Sequence, residues 1–335
     1  MTLLRRIGGL GAGFATASLL VGLSLQFSSA ASARSASSPC NESITSAPTG
    51  PATVSATTSS AYGKVLVVGS GAYTGCSLYL LTSDQLHAIS GAGFACNGDP
   101  SPLGPPCDTV LWPALLTDGA PIAGTGVNPA LLGTVTRTDV LPGQAVQQVT
   151  YAGQPLYRFV FDEEPGETEG ANLFDPVVSP TGTWYLVDPS RGRVAPGQAH
   201  LTLETAPVGG NGPNATVLAA TMDPDFSIFS DAAFPLYTSS ADTGNRSACQ
   251  DACAAEFWPP LLTDGRPDAG PGVDQNKVGT MVRPDGTHQV TYNGKPVYFF
   301  YLDAYIGGLP FGMARIDGAG LVTPWGTFNT IPPLP

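Results

Sequence analysis

The sequence predicts a mainly β protein: two tandem homologous antiparallel β-meander or barrel-like domains with short helical segments. Three observations carry the prediction. WPALLTDGAPIAGTGV (Trp112–Val127) and WPPLLTDGRPDAGPGV (Trp258–Val273) are identical at twelve of sixteen aligned positions. QVTYAGQPLYRFVFD (Gln148–Asp162) and QVTYNGKPVYFFYLD (Gln289–Asp303) then recur in the same order. Finally, 41 glycines and 32 prolines in 335 residues imply many turns and few long helices.

From the N-terminus, Arg5 and Arg6 precede an apolar run from Ile7 to Phe27, and small residues follow through Ala33. This reads as a secretory signal over residues 1–33. The run is also long enough for an uncleaved anchor. No second apolar stretch could span a membrane, so no span is expected once the signal is removed. Residues 34–60 are rich in Ser, Thr, Ala and Pro and read as a flexible tether that buries too little to offset its ordering entropy. Residues 61–190 form repeat domain 1, residues 191–213 a linker, and residues 214–335 repeat domain 2. Ala199–Thr205 alternates within the linker and could add one strand.

The second copy reads as a meander. Gly279–Arg283 is a strand, Pro284-Asp285-Gly286 turns it, and His288–Tyr292 returns. Asn293-Gly294 makes a two-residue turn into a third strand, Lys295–Leu302. The copies differ by five residues, confined to a turn, where length changes cost little. A finer repeat, apolar-Tyr-x-x-x-x-Asp, occurs four times: Tyr79 with Asp84, Tyr157 with Asp162, Tyr237 with Asp242, and Tyr298 with Asp303. Period-two geometry puts Tyr157, Phe159 and Phe161 on one face and Asp162 on the other. Each aspartate either ends its strand by bonding turn backbone or joins its tyrosine in a ligand site. Four equivalent positions favour architecture.

Six cysteines in a secreted chain imply disulfides. Cys107 and Cys253 each lie five residues before a tryptophan, which makes Cys96 and Cys249 the equivalent partners. The unequal spacings suit loop-closing bridges, Cys96–Cys107 and Cys249–Cys253, because a metal site needs fixed ligand spacing. By elimination Cys40 pairs with Cys76; lipidation of Cys40 is the alternative.

Tyr157…Asp162 and Tyr298-Phe-Phe300…Asp303, Cys249…Cys253…Trp258-Pro259-Pro260, and Gln289 to Tyr298 resemble a bacterial family of secreted repeats, or lipoproteins, of unknown function with a Tyr-x-(Phe/Trp/Tyr)-x-x-Asp motif. The resemblance covers most of Gly63–Asp188 and Val217–Asp303. It implies tandem modules of the cell envelope and brings no activity. The chain lacks a lipobox, so free secretion replaces lipid anchoring here.

Chemistry is thin. The net charge is −12, and losing Arg5 and Arg6 moves it to −14, which excludes nucleic-acid phosphates as a natural partner. His87, His200 and His288 are scattered, and no Gly-x-Ser-x-Gly elbow, phosphate loop or dinucleotide fingerprint occurs. The acidic run Asp162–Glu169 could offer oxygens to calcium, but the second copy lacks it. Met222, Met281 and Met313 are dispersed. Trp112, Trp184, Trp258 and Trp325 could form a carbohydrate platform. A tryptophan buries about 150–250 Å², worth roughly 4–6 kcal/mol at about 25 cal/mol per Å², so Trp112 and Trp258, each beside a cystine and before Pro, are assigned to the core. The expected protein is a secreted or cell-envelope, non-catalytic binding or structural module, with no cofactor and no metal. Its partner would be a wall polymer, a small ligand or an envelope protein. An extracellular hydrolase and a metal-binding envelope protein are the alternatives.

Overall fold

The computed structural model describes residues 39–84, 93–98, 106–175, 181–209, 211–221, 233–244, 246–303 and 315–333. The expected leader and His87, Met222 and Met313 lie outside them. No helix among the described residues is long and apolar enough to cross a membrane.

The first copy contains β1 (Thr53–Ser59), β2 (Gly63–Val68), β3 (Tyr79–Leu81), β4 (Leu116–Thr117), β5 (Ile122–Ala123) and β6 (Leu132–Leu141). It continues with β7 (Gln144–Tyr151), β8 (Gln154–Pro155), β9 (Phe174–Asp175), β10 (Gly182–Asp188) and β11 (Arg193–Ala195). Its sheets run β2-β1-β5, β11-β10-β3 with β9 on β10, and β4-β7-β6 with β8 on β7. The second copy contains β12 (His200–Pro207), β13 (Asn214–Thr221), β14 (Ala233–Pro235), β15 (Tyr237–Ser239) and β16 (Asp268–Ala269). Then come β17 (Val278–Val282), β18 (His288–Tyr292), β19 (Lys295–Pro296), β20 (Leu321–Thr323) and β21 (Gly326–Thr330). Its sheets run β14-β13-β12-β16, β15-β21-β20 and β17-β18-β19. The fold is mainly β as expected, with several antiparallel sheets and few short helices. Among the described residues no sheet closes into a barrel. Many strands are only two or three residues long, too short to carry a ladder around a closed wall.

Four details differ from the sequence reading. The tether carries β1 and the linker carries β11, while the alternating stretch of the linker forms β12 as read. Both β1 and β12 are short of apolar residues, yet each adds a full antiparallel ladder to its neighbour. Their Thr-rich stretches suit a pleated, half-buried surface. Each copy also has one parallel pair, β1 with β5 and β12 with β16. Finally, the third meander strand ends at Pro296. Beyond it the chain changes partners: Tyr298 exchanges backbone hydrogen bonds with Tyr237, and the Phe299 N–H donates to the Pro259 carbonyl. Phe161, expected to share the face of Tyr157 and Phe159, is half exposed while they are buried.

The tight turns are matched. Asn293 and Gly294 both have positive φ, 49° and 73°, as the two-residue turn requires. The first copy puts Ala152 in the same place, at φ 51°.

Ser38–Pro335 is one compact unit, and each copy keeps its own cores within it. Trp112 and Trp184 stack at 3.8 Å in the first; Trp258 and Phe328 stack at 3.7 Å in the second. Tyr79 and Tyr237 each present an edge to their tryptophan at 5.4 Å. A glycine packs against each indole: a Cβ on Gly170 or Gly318 would lie 2.6 or 2.8 Å from the Trp112 or Trp258 ring. The disulfides Cys40–Cys76, Cys96–Cys107 and Cys249–Cys253 join Cα atoms 5.4, 5.2 and 5.2 Å apart, the pairing read from the sequence. A π-helical turn, Cys107–Leu111 or Cys253–Phe257, carries the second cysteine of the loop-closing pair to the tryptophan in each copy.

Candidate functional site

The motif tyrosines and aspartates meet, but not within one motif. The Tyr79 hydroxyl donates to Asp162 Oδ2 at 2.7 Å, and the Tyr157 hydroxyl donates to Asp84 Oδ2 at 2.6 Å. The second copy repeats the exchange: Tyr237 donates to Asp303 at 2.5 Å and Tyr298 to Asp242 at 3.1 Å. Each tyrosine is therefore satisfied by the aspartate of the other half-copy. The crossing is possible because Tyr79 and Tyr157 are antiparallel neighbours that exchange backbone bonds at 2.9 and 3.0 Å; Tyr237 and Tyr298 do the same. Period two separates a tyrosine from its own aspartate, and local two-fold pairing supplies the other one.

The second oxygen of each aspartate accepts from the loop behind its strand. Asp162 Oδ1 takes the Glu169 N–H and Asp303 Oδ1 the Asp317 N–H. Asp84 Oδ1 takes the Ala95 N–H and Asp242 Oδ1 the Ala248 N–H. Asp84, Asp162 and Asp303 are buried, and Asp242 is half-buried. Burial pushes the Asp162 and Asp303 carboxyls well above the usual range, against the tyrosine and backbone donors that favour the anion. Burial likewise raises both partner tyrosines, and the facing aspartates add to it.

A buried arginine lies under each clasp, Arg137 in the first copy and Arg283 in the second. Arg137 donates to Gln148 Oε1 at 2.6 Å, to the Cys96 carbonyl at 2.9 Å and to Asp108 Oδ2 at 2.9 Å. It also pairs with Asp139 at 2.7 Å. Arg283 keeps the glutamine, Gln289 at 2.6 Å, and the cysteine carbonyl, Cys249 at 3.2 Å. Its third acceptor is the neutral Gln250 at 2.9 Å. Burial pushes Asp108 up to about 7 despite the adjacent guanidinium, and burial lowers Arg283.

The remaining chemical candidates do not converge. His200 and His288 are exposed on β12 and β18, and His200 stands 3.5 Å from exposed Asp268. The Glu167 carboxylate turns back to accept from the Glu163 and Glu164 N–H groups. Among the described residues no three His, Cys, Asp or Glu side chains gather in a metal-binding arrangement. Trp112 and Trp258 are buried in the cores, not displayed as a platform.

Sequence reasoning missed a cleft of about 180 Å³ between the copies. Tyr62, Thr183 and Tyr185 line it from the first copy; Pro259, Leu261 and Phe299 line it from the second. The crossing between copies, Pro196 to His200, runs along it. Gly197, at φ +70°, lets the Tyr62 ring lie against the backbone; a Cβ there would stand 2.9 Å from that ring. No Asp, Glu, Lys or Arg lines the cleft among the described residues. Asn172 at its wall donates to the Pro196 carbonyl and leaves its own oxygen without a partner. The halves are held together nearby: Thr181 Oγ1 donates to the Glu256 carbonyl and Arg193 to the Gly286 carbonyl, both at 2.6 Å. No repeat alignment signals such a site, because its two walls come from non-equivalent positions.

No curated protein and no solved structure matches the chain. A family described as a secreted repeat of unknown function matches it twice, over residues 143–176 and 279–309. Those two segments are equivalent, each running through a Tyr–Asp motif that ends at Asp162 or Asp303. With that family's secreted character and three disulfides suited to an oxidising exterior, the chain is a secreted protein that carries, once in each copy, a segment matching a secreted repeat of unknown function.

Proposed function

We propose that the protein is a non-catalytic binding or structural module of the cell envelope, built from two tandem domains. Its Tyr–Asp motif residues hold the fold and do not react with a substrate. One observation carries the reading: all four motif aspartates are engaged on both sides, by a tyrosine hydroxyl and by a loop N–H. Three of the four, Asp84, Asp162 and Asp303, are also buried, away from any substrate. The scattered exposed histidines favour this reading over a hydrolase, which needs a base within reach of a nucleophile. The partner surface is the cleft between the copies, open to a wall polymer, a small ligand or an envelope protein.

The test replaces Asp162 and Asp303 with Asn. The carboxylate accepts two donors; the amide must turn its NH₂ toward one of them. Each variant should lose about 1–3 kcal/mol of stability, read as a fall in melting temperature. Unchanged melting with loss of a binding partner or an activity would overturn the scaffold reading. A stoichiometric metal ion in the purified mature chain would replace it with the metal-binding alternative.

A further inference from the structure

Each copy has a face, beside its π-helical turn, that is covered by something outside its own repeat. The chain enters both copies there in the same way. The Ala52 and Ala199 N–H groups donate to the Thr117 and Thr263 hydroxyls at 3.0 and 3.1 Å. The Gly50 and Gly197 carbonyls accept from the Asp118 and Asp264 N–H groups. Upstream of these bonds the two covers differ. On the second copy the cover is the first copy: Thr82 Oγ1 donates to the Ala255 carbonyl at 3.4 Å, and Thr181 Oγ1 to the Glu256 carbonyl at 2.6 Å. On the first copy the cover is an arm of the same chain, Cys40–Ile44. The Ile44 N–H donates at 2.9 Å to the carbonyl of Thr109, the residue equivalent to Ala255. Arg158 donates to the Cys40 and Glu42 carbonyls at 2.8 and 2.9 Å, and the Cys40–Cys76 bridge ties the arm's end down. The second copy has Phe299 where the first has Arg158, and Phe299 lines the cleft that faces the first copy.

The arm thus takes, on the first copy, the place that the first copy takes on the second. Arrays of repeats are closed by caps of this kind. Behind the held residues, 45–49 are mostly exposed and make no hydrogen bond among the described residues. The opposite face, the one the first copy turns to the second, recurs on the second copy. The Thr183 N–H donates to the Thr82 hydroxyl, and the Thr327 N–H to the equivalent Ser240 hydroxyl, both at 2.9 Å. Beside Thr327, Val322 on β20 is 82% exposed, whereas its counterpart on β9, Phe174, is 3% exposed. An uncovered apolar side chain therefore sits next to a hydroxyl pair whose twin already binds a neighbouring copy's carbonyl. Trp325 and Asn329 replace Thr181 and Tyr185, so one of the two hydroxyl donors is kept. Residues 318–333 carry no charge, which spares this face the self-repulsion of an acidic chain.

We propose that Cys40–Ile44 is a strap closed over a docking face of the first copy, and that this face, once uncovered, receives the Ser240–Val322–Thr327 face of a second copy of the chain, joining molecules head to tail. The test uses residues 34–335 with Cys40→Ser, Cys76→Ser and a protease site inserted between Ser46 and Ala47. The protein is folded whole, cut, and freed of its strap by gel filtration. In sedimentation velocity the uncut protein should stay a monomer. The cut protein should keep its circular-dichroism spectrum and grow past the dimer over about 10–1,000 µM, the range of small interfaces. An excess of a synthetic peptide of residues 38–46 should reverse that growth. In the cut protein Val322→Lys should weaken association about tenfold, and Arg158→Phe, which gives the first copy the second copy's residue, should strengthen it about tenfold. A folded cut protein that stays monomeric overturns the proposal, as does association that stops at a closed dimer or that Val322→Lys leaves intact. If cutting unfolds the chain, the uncut protein with Arg158→Phe decides, because it loosens the strap without removing it. Association of that variant supports the proposal. A monomer overturns it, and so does an unfolded chain, since the arm would then be core and not cover.

Discussion

The two copies solve the same burial problem with different electrostatics. Both place an arginine under the Tyr–Asp clasp and bind it to a glutamine and a cysteine carbonyl. In the first copy Asp108 and Asp139 answer its charge. In the second, position 254 is alanine, and Asp285 is occupied by the Thr287 N–H and hydroxyl in its turn. No carboxylate lies within ion-pair distance of Arg283 among the described residues. The aromatic stacks differ too, Trp184 in one and Phe328 in the other, while their tryptophan partners keep near-identical spacings. The shared parts are therefore geometric: clasp, indole, arginine and glutamine. Charge compensation is free to vary, because hydrogen bonds to neutral oxygens also hold a buried guanidinium.

That contrast can be broken most directly at the arginines. Arg137→Met would leave two acids facing a methionine, and should cost about 3–5 kcal/mol, the loss expected when one partner of a buried pair is removed. Arg283→Met leaves only neutral acceptors behind and should cost about 1–3 kcal/mol. Equal losses in denaturant titrations would mean that the acids contribute nothing in the first copy. The tryptophans should behave oppositely: Trp112→Ala and Trp258→Ala should each cost about 3–5 kcal/mol, and a large gap between them would show that the stacks are not equivalent.

The pH dependence sharpens the comparison further. Asp108 is raised to about 7, so the native state holds its proton more tightly than the unfolded chain. Its contribution is fully present below the unfolded carboxyl value near about 4 and is lost as pH rises through about 7. Melting temperature should therefore rise on acidification from pH 8 to pH 5, and Asp108→Asn should flatten that rise. No such variant exists for the second copy, where the position is alanine. The smallest effect belongs to the hairpin turn. Ala152→Asn gives the first copy the residue that the second has at positive φ, and should stabilise by about 0.5–1 kcal/mol.

How far the sequence could be read follows from the same residues. The repeat, the turns and the disulfide partners were legible because identical letters and Asn-Gly carry their meaning locally. Strand β1 was not, whereas the alternation of Ala199–Thr205 marked β12. In β1 only Val54 is buried, so no alternation rises above the Thr and Ser background. The clasp was half legible: the spacing marked Tyr157 and Asp162 as related but put them on opposite faces, and their true partners lie about 80 residues away. The cleft was illegible, since Tyr185 and Phe299 share no motif and meet only when the copies dock.

The crossed clasp sets an order of events for a chain that folds from its N-terminus. The Tyr79 hydroxyl waits for Asp162, 83 residues behind it. The first half of each copy thus emerges with two buried-type polar groups unanswered and its aromatic side chains uncovered. Closure cannot begin until the sister half is present, so a chain growing from its N-terminus carries an open stretch of at least that length.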